Sequence, residues 1–163
     1  MGKYYCHIDS PIGSLYIAEE DGALTDLAFT PIRAAEHKNT PLLKLTADML
    51  REYFAGERTT FDLPLRPAGT EFQKKAWDAL LTIPYGQTRS YKEQAEVVGN
   101  PKACRAVGAA NGKNPISIII PCHRVIGASG SLTGYGGGVE LKKKLLELEQ
   151  RVSGSLTLVW RQS

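Results

Sequence analysis

Cys122 and His123 stand side by side in the segment Pro121-Cys122-His123-Arg124-Val125, directly after the aliphatic run Ile116-Ser117-Ile118-Ile119-Ile120. The run is short, apolar and β-branched, the pattern of a strand covered on both faces. A cysteine at the exit of such a strand is buried, and apolar surroundings raise a thiol's pKa and leave it inert. An imidazole within reach reverses this by taking the proton and leaving a thiolate, the nucleophilic form. On the dipeptide alone a satisfied core cysteine is the commoner outcome. The rest of the chain shifts the balance.

A Cys-His pair gains from a carboxylate that orients the imidazole. Residues 139–150 form an amphipathic helix with Leu141, Leu145 and Leu148 as its buried stripe. Glu149 lies at the edge of that stripe, whereas Glu147 lies away from it and is placed to pair with Lys143 at i+4. Glu149 is therefore the better third partner, although most single carboxylates are simply solvated. Between thiol and helix runs a glycine-rich loop, residues 127–138, whose one aromatic, Tyr135, could stack on a flat base. The loop is no phosphate loop, because no Gly-Lys-Ser/Thr follows it.

A pair of helices precedes the thiol. Ser90 and Glu93 make a capping box for a helix from Tyr91 to Val98, and Gly99 suits its C-terminal stop. Asn100 and Pro101 then suit the cap and first position of a second helix, Pro101 to Asn111. Two short helices joined by a glycine turn make a helix-turn-helix. Ala103, Val107 and Ala110 define the inward face of the second helix, and Lys102, Arg105, Ala106 and Ala109 the outward one. Small residues with one long cation let the helix approach a nucleic-acid groove, with Arg105 reaching in and Lys102 near a phosphate. The plain alternative is two helices packed in a bundle.

The elements that must position these groups fall into two parts. Strands at Lys3–Ile8, Ser14–Ala18 and Ala23–Phe29 form a meander, followed by a helix from Pro41 to Phe54 with Leu42, Leu45, Met49 and Tyr53 on one stripe. Residues 58–69 read as a linker, and Thr70 with Gln73 caps a helix that turns Phe72, Ala76 and Leu80 inward. The expected organisation is a sheet-and-helix lobe over 1–66, a helical domain over 67–150 and a tail over 151–163, either strand or packed coil. The fold class is α/β (α+β), with a three-stranded antiparallel sheet and a winged-helix-like second lobe. Through Gly69 there are 7 Lys and Arg against 10 Asp and Glu, a balance of −3; beyond it there are 13 against 7, a balance of +6. The basic second half fits a polyanionic partner. The other reading is that Lys142-Lys143-Lys144 is a solvated helix face, but the positive balance survives without it. No stretch reaches the ~20 apolar residues of a membrane span, and the first residues lack a signal peptide's apolar core. The expected compartment is the cytoplasm. Cys6, Cys104 and Cys122 cannot all pair and lack C-x-x-C spacing, which suggests neither a disulfide framework nor a zinc knuckle, and a metal on Cys6 and His7 is a weak reading because they alternate along a strand.

The motifs together resemble the O6-alkylguanine-DNA alkyltransferases, also called methylated-DNA–protein-cysteine methyltransferases. The resemblance runs from Gly69-Thr70-Glu71-Phe72 through Ile83-Pro84-Tyr85-Gly86, Ser90-Tyr91, Gly99-Asn100-Pro101-Lys102 and Arg105-Ala106-Val107-Gly108. It continues through Asn114-Pro115, the Pro121–Val125 segment and Gly134–Gly138 to Leu145–Glu149. It implies that Cys122 accepts the alkyl group irreversibly from O6-alkylguanine, and from O4-alkylthymine, in double-stranded DNA, with no cofactor. His123 would deprotonate the thiol through a water, Glu149 would orient His123, and Asn114 would brace the strand. Tyr91 would give a proton toward N3 of the leaving guanine, and Arg105 would fill the gap left by the flipped nucleotide as its helix lies in the minor groove. Backbone groups at Cys122, Val125 and Gly136, with Tyr135, would line the base pocket. Ser117 stands where some members carry proline and Gly136 where some carry serine, and the zinc ligands of some members do not map here, so the resemblance implies no metal. The family implies a monomer.

Two rivals remain at this level. A cysteine hydrolase using Cys122, His123 and Glu149 would need an oxyanion hole and leaves the Arg105 helix unexplained. A non-catalytic binder of alkylated DNA would lack the thiol that this chain has.

Overall fold

The computed structural model describes residues 2–132, 135, 137–154 and, for the backbone, 161–162. These form two compact units: residues 1–68 with 115–119, and residues 69–114 with 120–163.

In the first unit, β1 (Lys3–Ser10) pairs antiparallel with β2 (Gly13–Glu20), and β2 with β3 (Ala23–Ala28). Asp21 and Gly22 join β2 to β3 with φ of 50° and 80°, the paired positive values that match strand twist in a two-residue hairpin. A fourth strand, β4 (Glu36–His37), pairs in parallel with β1 at Tyr4 and Tyr5. Two exposed residues carry no periodicity, so the sequence offers no signal for it. The sheet order is β3-β2-β1-β4.

Helix α1 (Pro41–Phe54) packs on β1 and β2 and starts where Thr40 accepts the Leu43 N–H. Its buried face is Leu43, Thr46, Ala47, Leu50 and Tyr53. The expected stripe was thus rotated by about one residue, and Leu45 is 46% exposed. Thr46 is admitted inside because its hydroxyl donates to Leu42 O at 2.8 Å, and a reading of apolar residues alone overlooks it.

The aliphatic run is buried as expected but is not a strand. Ile116 bridges Leu27, with Leu27 N–H to Pro115 O at 2.8 Å and Ser117 N–H to Leu27 O at 3.1 Å. There the pairing ends, because β3 stops at Ala28. Ile118 then takes φ of +72° while the Ile119 N–H turns back to Ser117 O at 2.8 Å. A β-branched residue at positive φ is strained by about 1–3 kcal/mol.

The second unit is built on α2 (Glu71–Leu80), α3 (Tyr91–Val98) and α4 (Cys104–Gly112). Both anticipated capping boxes form, Thr70 with Gln73 and Ser90 with Glu93, and Gly99 ends α3 at φ 95°. Ala76, Ala95, Val107 and Ala110 meet at the centre, with Phe72, Val98 and Cys104 around them. Such small side chains let three helices close on one another. Gln94 and Asn111 exchange amide hydrogen bonds of 2.8 and 2.7 Å, Gln94 also donates to Ala76 O, and Trp77 Nε1 donates to Ala110 O at 2.8 Å.

Helix α4 begins three residues later than its sequence pattern implies. Asn100 does not cap a helix: its side chain accepts the Lys102 N–H and its carbonyl accepts the Ala103 N–H, which closes a turn over Pro101-Lys102. β5 (Arg89–Ser90) pairs in parallel with β6 (Val125–Ile126), and Arg89 reaches Thr82 O at 3.1 Å. A 3-10 turn, Cys122–Arg124, leads into β6. β7 (Ser131–Leu132) follows, and then α5 (Val139–Ser153) runs three residues past its expected end to Gly154 at φ 77°. In the tail, β8 (Arg161–Gln162) pairs in parallel with β7; the Leu156–Trp160 stretch of the tail lies outside the described residues.

Replacing Gln94 by Ala strips Asn111 of its partner in a fully buried setting. It is expected to lower stability by about 2–3 kcal/mol, read from the urea midpoint at unchanged slope. A shift below a few tenths would remove this pair from the core's support.

Candidate active site

Pro121 has φ −83° and ψ 65°, and the Cys122 N–H turns back to Ile120 O at 2.8 Å. This is an inverse γ-turn, and proline's fixed φ and missing N–H suit it. The turn aims the Cys122 side chain inward, where the residue is 7% exposed. Asn114 Nδ2 donates to Cys122 Sγ at 3.3 Å and to Ile120 O at 2.8 Å, so one amide holds both the thiol and its turn. Burial pushes the thiol's pKa up, against the Asn114 hydrogen bond, the charge of Lys142 and the turn's own backbone.

His123 is fully buried and its Nε2 lies 2.6 Å from Glu149 Oε2. Glu149 is also gripped by Arg124, whose Nε donates to Oε1 at 2.7 Å and Nη2 to Oε2 at 3.1 Å. The Gly86 N–H donates to Oε1 at 3.3 Å, and Arg124 Nη1 donates to Ile83 O at 2.7 Å. Gly86 sits at φ +78°, and a Cβ there would meet Ser153 Oγ at 2.6 Å, so only glycine brings its N–H to the carboxylate.

Burial alone would push the Glu149 carboxyl up, but His123 and Arg124 outweigh it and hold it well below the usual carboxylate range. Burial lowers His123; Glu149 pulls the other way, and Arg124 and Lys142 add to the lowering. Burial sets the downward direction, and Arg124, paired with Glu149, adds to it. The resting imidazole is therefore neutral, with Nε2–H toward the carboxylate. Nδ1 is its free acceptor, buried and without a hydrogen-bond partner among the described residues.

The structure thus brings Cys122, His123, Glu149 and Asn114 into one cluster. Tyr91 is half-buried at the start of α3, with Lys142 Nζ 6.0 Å from its ring centroid. Arg105, Ala106 and Ala109 are exposed on α4, and Lys102 is exposed in the turn before it. Val125 and Tyr135 are buried, Ser117 falls in the first unit beside Leu27, and Gly136 lies outside the described residues. Sequence reasoning assigned no role to Arg124 or Gly86. The alternative reading of Lys142-Lys143-Lys144 as a solvated face fails at Lys142, which is buried. Spacing could have found it, because Lys142 lies seven residues before Glu149, two turns along the same face. Among the described residues, no three His, Cys, Asp or Glu side chains cluster as a metal site, and no helix is long and apolar enough to cross a membrane.

Glu149→Gln leaves Arg124 buried opposite a neutral amide and is expected to cost about 3–5 kcal/mol at neutral pH. Both His123 and Glu149 are depressed on folding, so below their ordinary values the unfolded chain binds more protons. Wild-type stability should decline as pH falls below 6.5, and more steeply below 4.5 as the carboxylate's share is lost. The variant should lack the second limb. Urea midpoints measured against pH check this, and a flat wild-type profile down to acid would contradict the assigned ionisation.

Comparison with known proteins places both halves of the chain in one family. Residues 3–67 match the 6-O-methylguanine DNA methyltransferase ribonuclease-like domain, and residues 71–151 its DNA binding domain. A methylated-DNA–protein-cysteine methyltransferase of Mycobacterium bovis is 53% identical over 95% of this chain and 98% of its own length. The constitutive enzyme of that name from Bacillus subtilis is 48% identical over 91% and 96%. The crystal structure of a Mycobacterium tuberculosis enzyme in complex with DNA superposes with a TM-score of 0.86 at 54% identity, covering 91% of this chain and 94% of that one. With both halves of the chain matched in order, and a buried thiol, imidazole and carboxylate gathered where the second half turns, this protein belongs to the 6-O-methylguanine-DNA methyltransferase family.

Proposed function

We propose that this chain repairs DNA by direct reversal, taking the alkyl group of O6-alkylguanine in a duplex onto Cys122 once and irreversibly. The observation that carries the reading is the cluster of Cys122 and His123 on the 3-10 turn, Glu149 on α5 and Asn114 just past the end of α4. Relatives of nearly the same length are methylated-DNA–protein-cysteine methyltransferases, and one was crystallised with DNA.

In the proposed step, the thiol proton passes through one water to the neutral Nδ1 of His123, and Glu149 holds the imidazolium that forms. The Cys122 thiolate attacks the alkyl carbon; the S–C bond forms, the C–O6 bond breaks, and its electron pair enters the guanine ring. Tyr91 delivers a proton to N3, so the base leaves neutral. One proton has left the thiol and one has reached guanine; His123 and Tyr91 re-equilibrate through solvent. The thioether has no acidic proton and is a poor leaving group, which is why the protein is spent. A stacked base cannot be reached, so the damaged nucleotide must swing out, most cheaply where pairing is already weakened. Exposed Arg105, on a helix face otherwise made of Ala106 and Ala109, fills the space it leaves from the minor-groove side. Tyr135 and Val125 border the base. The same chemistry extends to O4-alkylthymine. The cytoplasm fits a chain with three unpaired cysteines, where thiols stay reduced.

With excess duplex carrying O6-methylguanine, repair should plateau at one lesion per protein, with one added methylene on the peptide holding Cys122. Cys122→Ser should bind DNA yet form no adduct. Sustained turnover, or an adduct on Cys6 or Cys104, would falsify the reading. Arg105→Ala should impair repair in duplex far more than transfer from a free alkylated base, and equal losses would remove Arg105 from the flipping step. Tyr91→Phe should slow transfer with little change in DNA affinity, as measured by single-turnover rates.

A further inference from the structure

Two arginines from distant stretches of chain grip consecutive carbonyls just past the end of α2. Arg89 Nη2 donates to Thr82 O at 3.1 Å, and Arg124 Nη1 donates to Ile83 O at 2.7 Å. Arg89 opens β5 and Arg124 stands immediately before β6, so each strand of the ladder carries one anchor. Arg89 Nη1 also donates to Thr82 Oγ1 and, at 3.4 Å, to Ala79 O. The last carbonyls of a helix lack partners within it and attract cations. Helix α2 has no basic residue in its own last turn, and Arg89 supplies that charge from the next strand.

What this anchor holds follows from where it sits. The β5–β6 ladder has two residue pairs, Arg89 with Val125 and Ser90 with Ile126. So short a pairing does not keep its register unaided. On the β6 side the 3-10 turn has further ties: His123 and Arg124 reach Glu149 at 2.6 and 2.7 Å, and Asn114 donates to Cys122. On the β5 side the chain passes from Ser90 straight to Tyr91, and Arg89 ties that strand to the end of α2. We propose that Arg89 is a positioning residue for alkyl transfer. By clamping β5 to the end of α2, it fixes where the Tyr91 phenol stands relative to the Cys122 turn, and it does not touch the reacting atoms itself. A plain helix cap would stabilise α2 and do nothing more. A clamp on Tyr91 changes the rate only where Tyr91 has a proton to deliver.

The inference rests on the proposed role of Tyr91 as proton donor to the leaving base, so one readout is taken without DNA. Arg89→Met keeps the length of the side chain and removes its donors. Amide exchange over residues 89–91 and 125–126 should quicken in this variant, with Arg89→Lys between it and wild type. Single-turnover transfer from O6-methylguanine in duplex should slow by about 10- to 100-fold in Arg89→Met. In a Tyr91→Phe background the same substitution should cost no further rate, because the group it positions has lost its proton. A lesion with carbon in place of N3 asks the same question without a double variant. It accepts no proton there, so wild type and Arg89→Met should react with it equally. Losses of the same factor in both backgrounds, or on both lesions, would make Arg89 a helix cap only and overturn the proposal. Unchanged exchange across the ladder, or undiminished transfer by Arg89→Met, overturns it as well. Should Arg89→Met not fold, Arg89→Lys is carried through the same comparisons. Tyr91→Phe reacting as fast as wild type would remove Tyr91 from the reaction, and this inference with it, while the loosened ladder persisted. The two failures are therefore distinct.

Discussion

The grip of Arg124 on Glu149 is the interaction on which the second unit's chemistry depends. A lone buried carboxylate would be protonated, and a lone carboxylate–imidazole pair would carry an imidazolium at neutral pH. The guanidinium helps to hold the carboxylate charged, while burial, aided by the charges of Arg124 and Lys142, keeps the imidazole neutral, the two states that the proposed general base and its orienter require. The same cluster joins three pieces of chain: α5, the 3-10 turn and the Ile83–Gly86 loop. Breaking one contact leaves an uncompensated buried charge, so the site is stabilised by the penalty for its own disassembly.

Small residues govern the other half of that unit. Ala76, Ala95, Val107 and Ala110 let α2, α3 and α4 meet closely, while Gln94 and Asn111 fix their register with hydrogen bonds that tolerate no sliding. The outward face of α4 is equally slim, with Arg105 its one long exposed side chain beside Ala106 and Ala109.

Helix ends were the most legible part of the fold, because Thr70 with Gln73, Ser90 with Glu93, and Gly99 act through local bonds that the sequence spells out. Glu149 was legible because it sits at the edge of a leucine stripe. The aliphatic run was not, since burial and β-branching fit a turn at Ile118 as well as a strand, and the difference lies in whether a neighbouring strand extends far enough. The register of α1 failed where buried Thr46 hides its polarity in a backbone bond. Arg124 was missed for a related reason. A cation inside a protein is declared by its partners, and those come from distant stretches of the chain.

The two-pair ladder of β5 and β6 acts as a gauge block. Arg89 opposes Val125 and Ser90 opposes Ile126, with Tyr91 following directly on one side and the Cys122–Arg124 turn preceding directly on the other. Paired strands stand about 4.8 Å apart, a spacing set by peptide geometry and not by side-chain packing. The chain thus calibrates the gap between its sulfur and its phenol with the least adjustable dimension available to a polypeptide. On the proposed reading, errors in seating on a groove decide whether a base arrives, while the two stretches of chain assigned to receive it keep their backbone spacing.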